Sequence, residues 1–145
     1  MTDKVDALTA LHTALVDSRK GYETALENAD GKGLGPLFQD MITLRNTHAS
    51  EIASALSAQG HAPDNDGSFM STVHWAVINV RALVTGLDES ILPGLIDGEK
   101  RIVGYYDEAI EASAGWEPVL VILSKQRSAV LAKIAAMQQR VDEAA

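Results

Sequence analysis

The stretch LPGLIDGEKRIVGYYDEAI, Leu92–Ile110, decides how the chain is read. Leu92, Leu95, Ile102, Tyr106 and Ile110 recur at three- and four-residue steps, so a helix puts them on one face. Glu99 lies near the centre of that face. An ionised carboxylate is costly in an apolar interior unless something matches its charge. Glu99 is therefore a metal ligand, a catalytic acid or base, or half of a buried pair. The choice depends on what the rest of the chain places opposite it.

Working outward, Gly-rich clusters at DGKGLGP, GHAPDNDG and SAGWEP punctuate the chain as turn signals. The segments between them have the period and the Ala, Leu, Glu, Lys and Gln content of helices, and none alternates long enough for a sheet. The first helix runs from about Thr2 or Asp3 to about Ala29, the second from about Leu34 to about Gln59. A shorter helix starts near Ser68, an N-cap candidate, and ends near Thr85 or Gly86. The next runs from an Asp88 N-cap to about Ser113, with Pro93 in its first turns, where a missing N–H costs least. The last begins near Trp116, carries Pro118 in its first turn, and reaches about Val141.

Helices one and two, and the last two, are joined by short loops and read as antiparallel hairpins. Between the hairpins lies a connection of about 28 residues holding the short helix. It is long enough to travel back along a bundle, so that the second and third long helices run parallel. That is the single-crossover path of ferritin-like bundles. The expected fold is an all-α, ferritin-like four-helix bundle with a short extra helix in the crossover, one domain spanning residues 1–145, with a five-helix globule as the other arrangement the pattern allows.

The bulk composition agrees with a packed domain. Of 145 residues, 46% are hydrophobic, enough for a core. Lys plus Arg number 12 against 20 Asp plus Glu, a net charge of -8, which opposes nucleic acid and anionic membrane surfaces as partners. The absence of cysteine excludes disulfides and thiolate chemistry. The N-terminal MTDKVDALTALHTALVDSRK mixes acids and bases and does not read as a signal peptide. No run approaches the ~20 apolar residues that span a bilayer. A cytoplasmic location is the expectation.

Counting 100° per residue gives each long helix an inward stripe. Helix one presents Leu8, Leu11, Leu15, Ser18, Tyr22, Ala25 and Ala29, and helix two Leu37, Met41, Arg45, His48, Ile52 and Ala55. The third presents Leu92, Leu95, Glu99, Ile102, Tyr106 and Ile110, and the last Val119, Leu123, Gln126, Val130, Ile134 and Met137. Each stripe is interrupted by polar residues near its middle. In a bundle of similar helices these interruptions share one level. Ser18, Tyr22, Arg45, His48, Glu99, Tyr106 and Gln126 are thus the expected buried polar layer.

DSRKGYETALEN (17–28), FQD (38–40), ASEIASALSAQGHAP (49–63), GSFMSTVHWAVINVRALVTGLD (67–88) and DGEKRIVGYYDEAI (97–110) together resemble a bacterial family known as domain of unknown function 2383. The most telling elements are Gly21-Tyr22, Gly67-Ser68 with His74, and Gly98-Glu99 followed by Tyr106. The resemblance covers nearly the whole chain. It implies a ferritin-like four-helix bundle and supplies no agreed biochemical activity.

A two-metal centre in such bundles takes a Glu from each of two helices and a Glu-x-x-His pair from each of the others. This chain lacks most of those parts. Asp17 and Glu23 fall away from the helix-one stripe, helix two offers His48 then Glu51 in reversed order, and the last helix offers Gln126. By the resemblance, family members often carry Glu where this chain has Ile96, and acidic or His residues where it has Ala129 and Ile134. Arg45, a fixed cation about one turn away, opposes a second dication. His48, Glu51 and Glu99 remain the candidates for a single iron or manganese ion. The preferred reading has no cofactor: Arg45 or His48 pairs with Glu99, and Tyr22, Tyr106 and Gln126 fill the remaining hydrogen-bond positions.

His12 borders a stripe, His61 sits in a turn and His74 lies beside Trp75, none with a ligand partner at i+3 or i+4. GKGLGP is no phosphate loop, and nucleophile and dinucleotide patterns are absent. The short segment FMSTVHWAVINVRALV is apolar on more than one face, and Met70, Trp75, Ile78 and Leu83 fall partly outside its main stripe. These four are the candidate interface of a two-fold homodimer. The functional expectation is a non-enzymatic bundle acting by self-association or protein interaction. A metal-binding oxidase or storage protein is the alternative, and a small-ligand binder using the polar layer and its tyrosines, which needs a cavity, also stays open.

Overall fold

A computed structural model describes residues 4–27, 34–61 and 91–144. They form four helices: α1 Lys4–Glu27, α2 Gly35–Ala58, α3 Leu92–Ala112 and α4 Glu117–Ala144. No strand occurs among the described residues. The chain is an all-α four-helix bundle. The short crossover helix expected from Ser68, its candidate interface residues Met70, Trp75, Ile78 and Leu83, His74 and the Asp88 cap lie outside the described residues. The described part of the third long helix begins at Leu92.

Local chemistry accounts for where the helices start and stop. Pro36 and Pro93 each occupy the first turn of their helix, where no intrahelical partner for their nitrogen is needed. The residues preceding those helices, Leu34 and Ile91, provide no side-chain cap and are instead buried in the core. Apolar anchoring sets the entry of α2 and α3. At the end of α2, Gly60 adopts φ 81°, and the N–H groups of Gly60 and His61 return to the carbonyls of Ser57 and Leu56 at 2.9 and 3.0 Å. This left-handed termination favours glycine, which has no Cβ to clash. Between α3 and α4, Gly115 at φ 86° sits in a tight turn that Trp116 N closes on Ser113 O at 2.9 Å.

Each helix packs on two neighbours: α1 on α2 and α3, and α4 on α3 and α2, with α2 and α4 touching least. The helix directions follow from two apolar clusters. One joins the first half of α1 (Leu8, Leu11, Leu15) to the ends of α2 (Ile52, Leu56) and α3 (Ile102, Ala109) and the start of α4 (Val119, Leu123). The other joins the end of α1 (Tyr22, Ala25) to the starts of α2 (Leu34, Phe38, Met41) and α3 (Leu92, Leu95, Ile96) and to Met137 of α4. Hence α2 and α3 run parallel, and α1 and α4 run opposite to them. A parallel pair cannot be joined by a short turn, which is why the long connection falls between α2 and α3.

The stripes counted from sequence need two adjustments. Phe38, Leu56, Ile96 and Ala109 are also buried, whereas Leu37, Ala55, Ile110 and Ile134 are half-buried. Asp17, placed outside the α1 stripe, is buried, as are His12 and Val16. The reason is that α1 packs against both α2 and α3, so its covered surface is wider than a single stripe.

Candidate functional site

Between the two apolar clusters lies a polar layer to which all four helices contribute. Its first half is ionic. Arg45 of α2 has no exposed surface, and Glu99 of α3 is 2% exposed. The Arg45 Nη2 donates to Glu99 Oε1. The Arg45 Nε donates to Ser18 Oγ of α1 at 3.1 Å, and Tyr22 OH of α1 donates to Glu99 Oε2 at 2.8 Å. Each carboxylate oxygen thus accepts a donor, one of them cationic. The Tyr22 ring continues into the cluster that holds Phe38, its centroid 6.1 Å from that of Phe38.

The second half is built from neutral side chains and ends at the surface. Tyr106 OH of α3 donates to Gln126 Oε1 of α4 at 2.7 Å. Gln126 Nε2 donates to Glu51 Oε1 at 3.0 Å and to the backbone oxygen of His48 at 3.3 Å. Tyr106 O lies 3.4 Å from His48 Nδ1. The single phenolic proton is committed to Gln126, so the proton in the Tyr106–His48 contact belongs to Nδ1. A neutral His48 of that tautomer carries its lone pair on Nε2.

The electrostatics agree with that division. Burial, followed by the nearby Arg45 charge, lowers the His48 pKa to about 4, with Glu51 acting the other way. At neutral pH the ring is uncharged. Burial raises the Tyr22 pKa well above the usual phenol value, and the Glu99 carboxylate raises it further. Burial likewise raises that of Tyr106. Both phenols are hydrogen-bond donors, held away from ionisation.

These residues do not fit a two-metal centre. Each oxygen of Glu99 already accepts a hydrogen bond, one of them from the Arg45 guanidinium. Glu51 is exposed and accepts from Gln126, whose amide stands where α4 would have to supply a charged ligand. Among the described residues, no three of His, Asp and Glu come together in a group that could hold a metal ion. The candidates His48, Glu51 and Glu99 are separated by their partners: Glu99 belongs to the ionic half, His48 and Glu51 to the neutral one.

Sequence reasoning picked out the residues of the layer but assigned Asp17 to the outside, and left open whether Arg45 or His48 would reach Glu99. The buried Asp17 and His12 gave little signal, since both lie off the apolar stripe. The Glu51–Gln126 contact could be sought only once α2 and α4 were known to be neighbours.

Fold and layer define a class: a four-helix bundle with an ion pair and a short hydrogen-bonded chain locked between two apolar halves. The chain belongs to the family described as domain of unknown function (DUF2383), whose model matches residues 3–112. The matched stretch contains α1, α2 and α3. α4, which supplies Gln126, Val119, Leu123, Val130 and Met137 to the interior, lies beyond it. No curated protein and no solved structure matches the chain.

Proposed function

We propose that this protein is a single-domain, ferritin-like bundle without catalytic activity, whose polar layer sets the register of its helices and whose surface does its work. The observation that carries this reading is the Arg45–Glu99 pair, enclosed on all sides and completed by Ser18 and Tyr22. Such a pair adds little net stability compared with apolar residues of the same volume, but it penalises any packing that separates its members. A bundle slipped by one turn would leave a bare guanidinium and a bare carboxylate in the interior.

The work itself is self-association or protein interaction in the cytoplasm, most simply as a two-fold dimer through Met70, Trp75, Ile78 and Leu83. Supporting it are the surplus of apolar positions in that segment and a net charge of -8, which disfavours nucleic acid and anionic membranes. Among the described residues no helix is long and apolar enough to cross a membrane.

Light scattering on the purified protein tests the association, and iron and manganese titration tests the layer. The expected mass is twice the 15.5 kDa of the chain, falling to one chain in Trp75→Glu. A single-chain mass at working concentration overturns the dimer. Stoichiometric metal uptake lost in Glu99→Gln would overturn the structural role of the layer and favour the metal-binding alternative.

A further inference from the structure

We propose that α4 is a hinged cover, which peels from the bundle as a unit while α1, α2 and α3 stay locked around the Arg45–Glu99 pair. This rests on the structural reading of the layer and extends it to motion. Ser18 and Tyr22 of α1, Arg45 of α2 and Glu99 of α3 make up the ionic half, so α4 has no share in it. Separating any of the first three helices breaks a hydrogen bond to a buried charge, the costliest kind to lose. Lifting α4 breaks none of these bonds.

The hold on α4 is also the slightest for its length. Among the described residues, Val119, Leu123, Gln126, Val130 and Met137 are the five that it buries out of 28. By comparison α1 buries eleven of 24, α2 seven of 24 and α3 seven of 21. Few buried side chains and much exposed backbone let one element open below the free energy of global unfolding. On its α2 side α4 closes the loosest seam, and the buried link there is Gln126, which donates to Glu51 and to the backbone oxygen of His48. Water replaces the bonds of a neutral donor at little net cost.

The two ends of α4 differ. Its first turn follows the Gly115 turn, and Lys4 Nζ of α1 stands 4.5 Å over the Trp116 ring, which fixes that end as the pivot. Past Val130, Met137 is the one buried residue among those described in α4. Peeling therefore starts at the C-terminal end and uncovers the apolar cluster of Phe38, Leu92 and Ile96 to which Met137 belongs.

Native-state hydrogen exchange of the intact protein at low urea concentrations tests the cover. The α4 amides beyond Val130 are expected to exchange about ten-fold or more faster than the slowest amides of α1, α2 and α3, with a weaker urea dependence. Glu99→Ala should speed the amides of those three helices and leave the α4 opening unchanged, because the pair survives in the opened state. Gln126→Ala should speed the α4 amides. Should a variant not fold, the wild-type pattern decides by itself. An α4 that exchanges as slowly as the other helices, or that responds to Glu99→Ala as they do, overturns the cover alone. Exchange in α1, α2 and α3 that ignores Glu99→Ala defeats the structural reading of the layer, and the cover with it.

Discussion

The two halves of the polar layer solve the same problem differently. Ser18, Tyr22, Arg45 and Glu99 bury full charges and neutralise them internally. His48, Tyr106 and Gln126 bury only neutral groups and pass their last hydrogen bond to the exposed carboxylate of Glu51. The two halves are equally buried, and they differ in where their hydrogen bonds end. In the ionic half no member is more than 7% exposed, so water cannot screen a charge and each must be matched by its opposite. The neutral half reaches the α2–α4 seam, the loosest of the four, where a carboxylate remains hydrated while accepting from an amide. Charge is kept where it is paired or wet, and nowhere else in the layer.

The contrast is broken most severely by removing one charge. Glu99→Ala leaves Arg45 buried and unpaired, and should cost about 3–5 kcal/mol. The control is the double variant Arg45→Met with Glu99→Leu, expected to recover most of that loss because both desolvation penalties vanish together. Thermal melts of the three proteins decide it. An unchanged melt for Glu99→Ala would mean that the pair is not a pair.

Acid should act on the neutral half. The folded-state pKa of His48 lies near 4, below the ordinary 6.5, so the unfolded chain takes up its proton first. This contribution to stability is full above pH 6.5 and is lost as the pH falls towards 4, by about 2–3 kcal/mol. Urea melts across that range, compared with His48→Gln, should show the slope only in the wild type. At the other extreme both buried tyrosines have raised pKa values, so their contribution is lost as the pH rises above 10. Phenolate absorbance from Tyr22 and Tyr106 should therefore appear together with loss of helical circular dichroism.

Smaller effects sharpen the comparison. Tyr106→Phe removes the link between α3 and α4 without touching a charge, and should cost about 1–3 kcal/mol by leaving Gln126 Oε1 without its donor. Equilibrium unfolding of this variant beside Glu99→Ala ranks the halves, and a larger loss for Tyr106→Phe would reverse the order argued here. Smallest of all is the surface pair of Arg127 Nε with Asp107 Oδ1 at 2.7 Å, its acidic side chain more than half exposed. Asp107→Ala should cost less than about 1 kcal/mol, since water already solvates both partners.

The reach of the sequence can be judged from single residues. Glu99 was visible as an anomaly because a carboxylate on an apolar stripe breaks a period confined to one helix. Arg45, His48 and Gln126 were visible for the same reason. Asp17 was not, since burial on α1 depends on two flanking helices and not on the period of one. Nor did composition suggest that Leu34 and Ile91 would anchor helix starts by burial in place of a polar cap.

What the sequence determined by itself is local and periodic: four long helices, the face each turns inward, and a polar break in every face at a similar height. The tertiary structure alone decided the pairing. Arg45 reaches Glu99 while His48 faces Tyr106 because α2 and α3 run parallel across the bundle, so that the later residue of each helix meets the later residue of the other. Gln126 meets Glu51 because α4 closes against α2. Periodicity reports the direction in which a side chain points from its own axis, whereas the identity of the group it meets depends on the relative height and heading of a second helix, and those are properties of the assembled core.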